Sequence, residues 1–304
     1  MKSKITSLIL MVIMFTFFTA AGQDDKATMK NDNTVDKTVK TPQQNDKAID
    51  QNNQAIGQND DANKLMWPVS STNEQAKKTF NEALQSLWNA RFPEYEQKIE
   101  QTIKEDPNFF LAHANRALVI YPGDKEKGHE LLHKVLELPQ NKLTGPEKKV
   151  RMVISNLNEK KTDDIKANLK DIISSYPDIL QSYEFAMGVS RFVLDDPKLG
   201  AEYAKQAVEK FPNHGPAWNQ LGYYYMDQNQ LDMAEQAFNN YLRLNPNEAN
   251  AHDSYADFCM KKGNYDEARR HYETAVQMGM TASRERAEKA RAMAQGGAGE
   301  EEEK

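Results

Sequence analysis

Between Ser71 and Ala294 apolar residues return every three or four positions, in runs the length of a short helix. Trp218, Leu221 and Tyr225 make one such run, and Ala234 with Phe238 makes part of the next. Leu132, Val135 and Leu136 repeat the pattern, as do Leu169 and Ile172, with Met152 on the run before them. Intervals of three and four place side chains on one face of an α-helix. No stretch reads as a strand. Pro107, Pro139, Pro177, Pro212 and Pro246 fall between the runs, where a helix has to end. The pattern predicts an all-α chain of short helices taken in pairs.

Both flanks break this rhythm. Lys2 and Lys4 precede an unbroken apolar and hydroxyl run from Ile5 to Phe18, followed by Thr19-Ala20-Ala21-Gly22. A positive start, an apolar middle and a small-residue exit are the parts of a secretory signal peptide, predicted over residues 1–22. The run falls short of the roughly 20 residues that cross a bilayer core, so no stable membrane span is expected once it is cleaved. An uncleaved anchor is the alternative. Gln23 to Lys64 has no aromatic residue and is mostly Asn, Gln, Asp and Lys. Such a composition cannot bury enough apolar surface to offset the entropy of ordering. Residues 23–70 are therefore expected to be a disordered tether, and 295–304 a flexible acidic tail.

The spacing of the runs is more specific than their period. Trp218, Leu221, Gly222, Tyr225, Ala234, Phe238 and Pro246 stand at the offsets of a tetratricopeptide repeat, W-x2-L-G-x2-Y, A-x3-F and P. Thirty-four residues on are His252, Tyr255, Ala256, Cys259, Ala268 and Tyr272; earlier copies are closed by Pro212, Pro177, Pro139 and Pro107. On these residues the chain resembles the tetratricopeptide-repeat family. The stretches Asn250–Asp257, Gly263–Ala268 and Asp106–His113 are similar to exported members from Bacteroidota. The resemblance implies a right-handed superhelical solenoid of about six repeats over 71–281, closed by a capping helix over 282–294. Thr281 is placed to cap that helix. It also implies an exported scaffold, periplasmic or at the surface of a Gram-negative cell, whose concave groove binds a partner protein or peptide.

Charge and chemistry narrow the possibilities. The chain has a net charge of −6, and loss of Lys2 and Lys4 with the signal peptide takes it to −8. With no basic stripe, it is unsuited to nucleic acid. Its single cysteine, Cys259, excludes an intramolecular disulfide and aligns with Tyr225 in the repeat core. His129-Glu130-Leu131-Leu132-His133 matches H-E-x-x-H, the zinc-hydrolase pattern with two histidines one turn apart. The repeat register turns Gly128 and Leu132 inward, which leaves His129 and His133 on the polar side of a helix. No catalytic residue, cofactor or metal is therefore assigned. A metal-binding or zinc-hydrolase centre at His129 and His133, and a glycan- or lipid-binding solenoid, are the alternatives.

In this family the first helix of each repeat lines the groove. A stripe beside the packing face reads Phe185, Asn219 and Asp253, then Val189, Tyr223 and Asp257, then Phe192, Met226 and Met260. Phe185, Val189, Asn219, Tyr223, Met226, Asp253 and Asp257 are the expected partner-binding residues, although apolar members of such a stripe can equally complete the core. Amide, aromatic and acidic groups suit a neutral or basic extended segment rather than an anionic C-terminus.

Overall fold

A computed structural model describes residues 66–301, with side chains up to Gln295. The expected signal peptide, the tether up to residue 65 and the last three residues lie outside this range. The regular elements among the described residues are all helices, with no strand among them. The helices are α1 (Glu74–Trp88), α2 (Phe92–Glu105), α3 (Phe110–Ile120), α4 (Lys125–Glu137), α5 (Gly145–Asn158), α6 (Thr162–Ser175) and α7 (Leu180–Gly188). A π-helical segment, Val189–Val193, continues α7. Then come α8 (Pro197–Lys210), α9 (Gly215–Asp227), α10 (Leu231–Leu244), α11 (Ala249–Lys262), α12 (Tyr265–Gln277) and α13 (Ser283–Glu301). They fall into two compact units, divided between Gly200 and Ala201.

Helix starts follow from capping chemistry. Asn73 and Asp124 accept the amide hydrogens of Ala76 and Lys127, and Thr144 with Glu147 forms a capping box. Pro93, Pro146 and Pro216 stand in the first turn of their helices, where no amide hydrogen is needed.

The turn inside a pair is equally regular. Ala90, Lys160, Asn229 and Gly263 all have positive φ, and the next residue donates its N–H five residues back, to Ser86, Asn156, Tyr225 and Cys259. This closure satisfies the last carbonyls of the helix but needs a left-handed residue. Gly263 adopts it freely and Asn229 tolerates it, whereas Ala90 and Lys160 carry a Cβ penalty of roughly 1–2 kcal/mol. Lys160→Gly should therefore raise stability by about 1 kcal/mol in a urea titration.

The turn after α7 is the exception that sets the register. Asp195 has the same positive φ, but the closing bond runs from Asp196 to Ser190, six residues back. The π segment holds one extra residue, which accounts for the 35 residues from Pro177 to Pro212 where 34 separate Pro212 from Pro246.

A second recurring bond explains residues that sequence treats as mere packing. Six residues after four of the five repeat-ending prolines, an aromatic side chain donates to that proline's carbonyl: His113 to Pro107, Tyr183 to Pro177, Trp218 to Pro212 and His252 to Pro246, at 2.8–3.1 Å. Tyr183 is thus the counterpart of Trp218. This moves Phe185 and Val189 opposite Gln220 and Tyr224, not Asn219 and Tyr223, so the expected stripe slips by one residue at α7.

Other expectations need correction. Residues 66–70 are not tether, because Trp67 is only 4 % exposed and packs on the first unit. Met152 points outward, while Val153 and Ile154 take the buried positions of α5. Ser283, not Thr281, opens α13. That helix runs past Ala294 to Glu301, since glycine weakens a helix without the steric block of proline, and no proline follows.

Small residues bring paired helices together. A Cβ on Gly222 would lie 2.8–2.9 Å from three ring carbons of Phe238, and one on Gly128 would lie 2.5 Å from the Tyr121 backbone. Leu169, Ile172, Leu221, Ala234 and Phe238 are all buried as the pattern predicts. Among the described residues, no helix is long and apolar enough to cross a membrane.

Candidate functional site

In the second unit Asn219, Tyr223 and Asp253 are buried, and Asp257 is half-buried. Tyr223, from α9, is 5 % exposed, with its ring edge-on to Phe238 at 5.1 Å. Its hydroxyl donates to Asp257 Oδ2 at 2.8 Å, and the Tyr272 hydroxyl donates to Oδ1 of the same carboxylate. Arg286, from α13, reaches Asp253 at 2.6 Å and Asp257 at 3.1 Å, while the Ser283 hydroxyl donates to Asp253. Burial, and then the neighbouring Asp257, push the Asp253 carboxyl up to about 6 against the pull of Arg286. Burial and then the Asp257 charge raise both tyrosines well above their ordinary value, so their hydroxyls stay protonated and donate.

Tyr223, Asp253 and Asp257 therefore join α9, α11, α12 and α13 instead of lining an open groove, and Asn219 is buried on α9. The physical reason is α13. It stacks where the first helix of a further repeat would stand, with Ala287 and Ala290 buried, and so carries a guanidinium onto two carboxylates that look solvent-facing in sequence. Met226 is half-buried. In the first unit Val189 is buried, and Phe185 packs against Trp67 with ring centroids 5.5 Å apart.

The H-E-x-x-H residues sit as the register implies. Gly128, Leu132 and Val135 form the buried face of α4. His129 meets the edge of Tyr121, and Asn158 Oδ1 and Nδ2 approach His129 and His133 at 3.4 Å. Lys127 and Lys134 both bond Glu130 and hold its carboxyl down at about 2. Among the described residues no third His, Cys, Asp or Glu completes a metal-binding group with them. Replacing both histidines by Ala should shift stability by no more than about 1 kcal/mol, two surface changes of roughly 0.5 each. A thermal melt of the double variant checks this. Cys259 is buried, and burial pushes its thiol up to about 12, far from a reactive thiolate.

A different surface, on α5 and α7 of the first unit, holds an extended segment. Gln181 Oε1 accepts the Trp67 N–H at 2.7 Å, and Ser182 Oγ accepts the indole N–H at 2.9 Å. The Thr144 hydroxyl donates to the Pro68 carbonyl at 2.8 Å. The Glu147 carboxylate accepts both the amide and the hydroxyl of Ser70, at 3.0–3.1 Å. None of these residues except Phe185 belongs to the stripe expected from sequence. The available signal was Trp67 itself, the first aromatic residue after 48 that have none, Phe18 being the last before it.

A tetratricopeptide-repeat family model matches residues 185–249 and again 219–283. The chain carries tetratricopeptide repeats. No curated protein matches the sequence. Among solved structures, a thermophilic TPR protein of Thermus thermophilus is 19 % identical, with a TM-score of 0.45, over 60 % of this chain and 99 % of that one. PilW, described as a type IV pilus biogenesis factor, is 18 % identical over 74 % and 89 %, with a TM-score of 0.37. YrrB, described as a TPR protein with an unusual peptide-binding site, is 18 % identical over 60 % and 92 %, with a TM-score of 0.34. The residues matched by the family model include α9 to α12, with all six stripe residues of the second unit.

Proposed function

We propose that this chain is an exported TPR scaffold that holds a partner protein by an extended segment and performs no catalysis of its own. The observation that carries this reading is the seat on α5 and α7, where side chains already grip the backbone and rings of residues 67–70. Helix faces that satisfy an extended backbone with side-chain donors and acceptors are suited to peptide recognition. Export is supported by Lys2, Lys4, the apolar run to Phe18 and the small-residue exit. The repeats supply a rigid frame rather than a reaction: the acid–base groups they bring together are spent on one another, as in the Asp253–Asp257–Arg286 cluster. Two groups remain consistent with a helix surface and not with a cleft, His129 and His133.

The test uses the chain lacking residues 1–22, immobilised and exposed to envelope extract, with metal analysis of the same preparation. The expected result is one discrete, salt-resistant partner and no stoichiometric metal. Stoichiometric zinc with peptidase activity, both lost in the His129→Ala/His133→Ala variant, would overturn the reading.

A further inference from the structure

We propose that the seat on α5 and α7 recognises an extended aromatic–Pro–X–Ser segment of a partner protein, and that residues 67–70 are the chain's own occupant of it. This deepens the scaffold reading by assigning a segment class to one surface.

Each position of the segment is met by a group suited to it. The aromatic residue places its ring against Phe185, while its amide and indole hydrogens go to Gln181 and Ser182. The proline has no N–H to satisfy, stays exposed, and offers its carbonyl to Thr144. Its fixed φ keeps the segment extended. Val69 receives no polar contact and marks the unspecified position. Ser70 is read twice, through its amide and its hydroxyl, by Glu147.

The seat is also built in advance of its occupant. The Ser182 hydroxyl is spent on the Tyr176 carbonyl at 3.0 Å, which leaves its oxygen to accept an indole hydrogen. The Thr144 amide holds the Glu147 carboxylate at 2.8 Å, and the Thr144 hydroxyl oxygen accepts the Glu147 amide, which leaves its one hydrogen for the Pro68 carbonyl. With residues 67–70 in place, Gln181, Ser182 and Glu147 are all buried. Buried acceptors aimed at a segment need that segment or its chemical equivalent, because leaving them unpaired is costly. An equivalent segment supplied by another chain meets the same donors and acceptors. The arm continues almost at once into α1 at Glu74, so it occupies the seat at a high effective concentration and must leave before a partner enters.

The test uses the full chain and a fluorescent peptide of residues 64–72, followed by anisotropy. The Trp67→Ala chain should bind this peptide at least tenfold more tightly than the wild-type chain, whose own arm competes. Ser182→Ala added to Trp67→Ala, or Trp→Ala in the peptide, should each weaken binding at least tenfold. A Trp67→Ala chain of wild-type helicity that ignores the peptide, or binds the Ala peptide equally well, overturns the proposal. Should Trp67→Ala unfold the chain, Trp67→Phe keeps an aromatic ring, though a smaller one, and removes the indole donor. Unfolding of both assigns the arm to the core and overturns the proposal as well. A wild-type dimer that the peptide dissociates would put the arm of a second copy in the seat, again against a partner's segment. Capture of an envelope partner that the peptide fails to displace would leave the scaffold reading standing and sink this seat alone.

Discussion

Arg286→Ala should destabilise the second unit by about 3–5 kcal/mol at neutral pH, the usual consequence of removing one partner from a buried ion pair. Arg286 is the cation that meets both Asp253 and Asp257, and Asp253 is 5 % exposed. Without it, the buried Asp253 carboxyl sits beside Asp257 with no cation to offset its desolvation. The pH dependence carries a definite sign. The folded-state value of Asp253 is raised to about 6, above its unfolded value, so the folded chain binds the extra proton. Stability contributed by this group is therefore fully present below the unfolded value and is lost as pH rises through about 6. In the Arg286→Ala variant the deficit should shrink as pH falls through that window. Adding Asp253→Asn should recover part of the loss at neutral pH, because one uncompensated charge is gone. Urea unfolding of the three chains, followed by far-UV circular dichroism, gives these differences.

The second large effect lies within one turn of α9. Gly222→Leu forces a branched side chain where even a Cβ would meet Phe238 at 2.8 Å, and overpacking of this kind costs about 1–3 kcal/mol or more. Tyr223→Ala should be at least as damaging, at about 3–5 kcal/mol for loss of a buried aromatic ring. It also strips one donor from Asp257. Tyr223→Phe keeps the ring and removes only that hydrogen bond, which predicts a loss of about 1–2 kcal/mol. A Tyr223→Ala chain as stable as wild type would return Tyr223 to a surface role.

This outcome reverses what the sequence implies for Tyr223, and the reason is instructive. The repeat period places Trp218, Leu221, Gly222, Ala234 and Phe238 correctly, because within a pair the register is fixed by close approach of helices. It says less about the neighbouring row, whose environment depends on what stacks next. Asp253 and Asp257 look solvent-facing until α13 delivers Arg286, and a charge pair distant in sequence leaves no periodic trace. The slip at Phe185 and Val189 was legible in principle: 35 residues separate Pro177 from Pro212, and the π segment Val189–Val193 absorbs the extra one. The arm was the hardest to see. Composition marks the polar segment before it but not where packing begins, and one Trp followed by Pro is too short for any period. Its partners Glu147, Gln181 and Ser182 are polar residues in helices, which pattern alone assigns to solvent.

The seat on α5 and α7 is filled in the free molecule by the extended residues 67–70. Hydrogen exchange at the Trp67 and Ser70 amides and the Trp67 indole of the full chain, read by NMR, tests it most directly. Acceptance by Gln181, Glu147 and Ser182 predicts exchange slowed at least a hundredfold relative to an unstructured peptide, with the amide protection falling together in Trp67→Ala. Exchange of all three at the unstructured rate in the wild-type chain would contradict it.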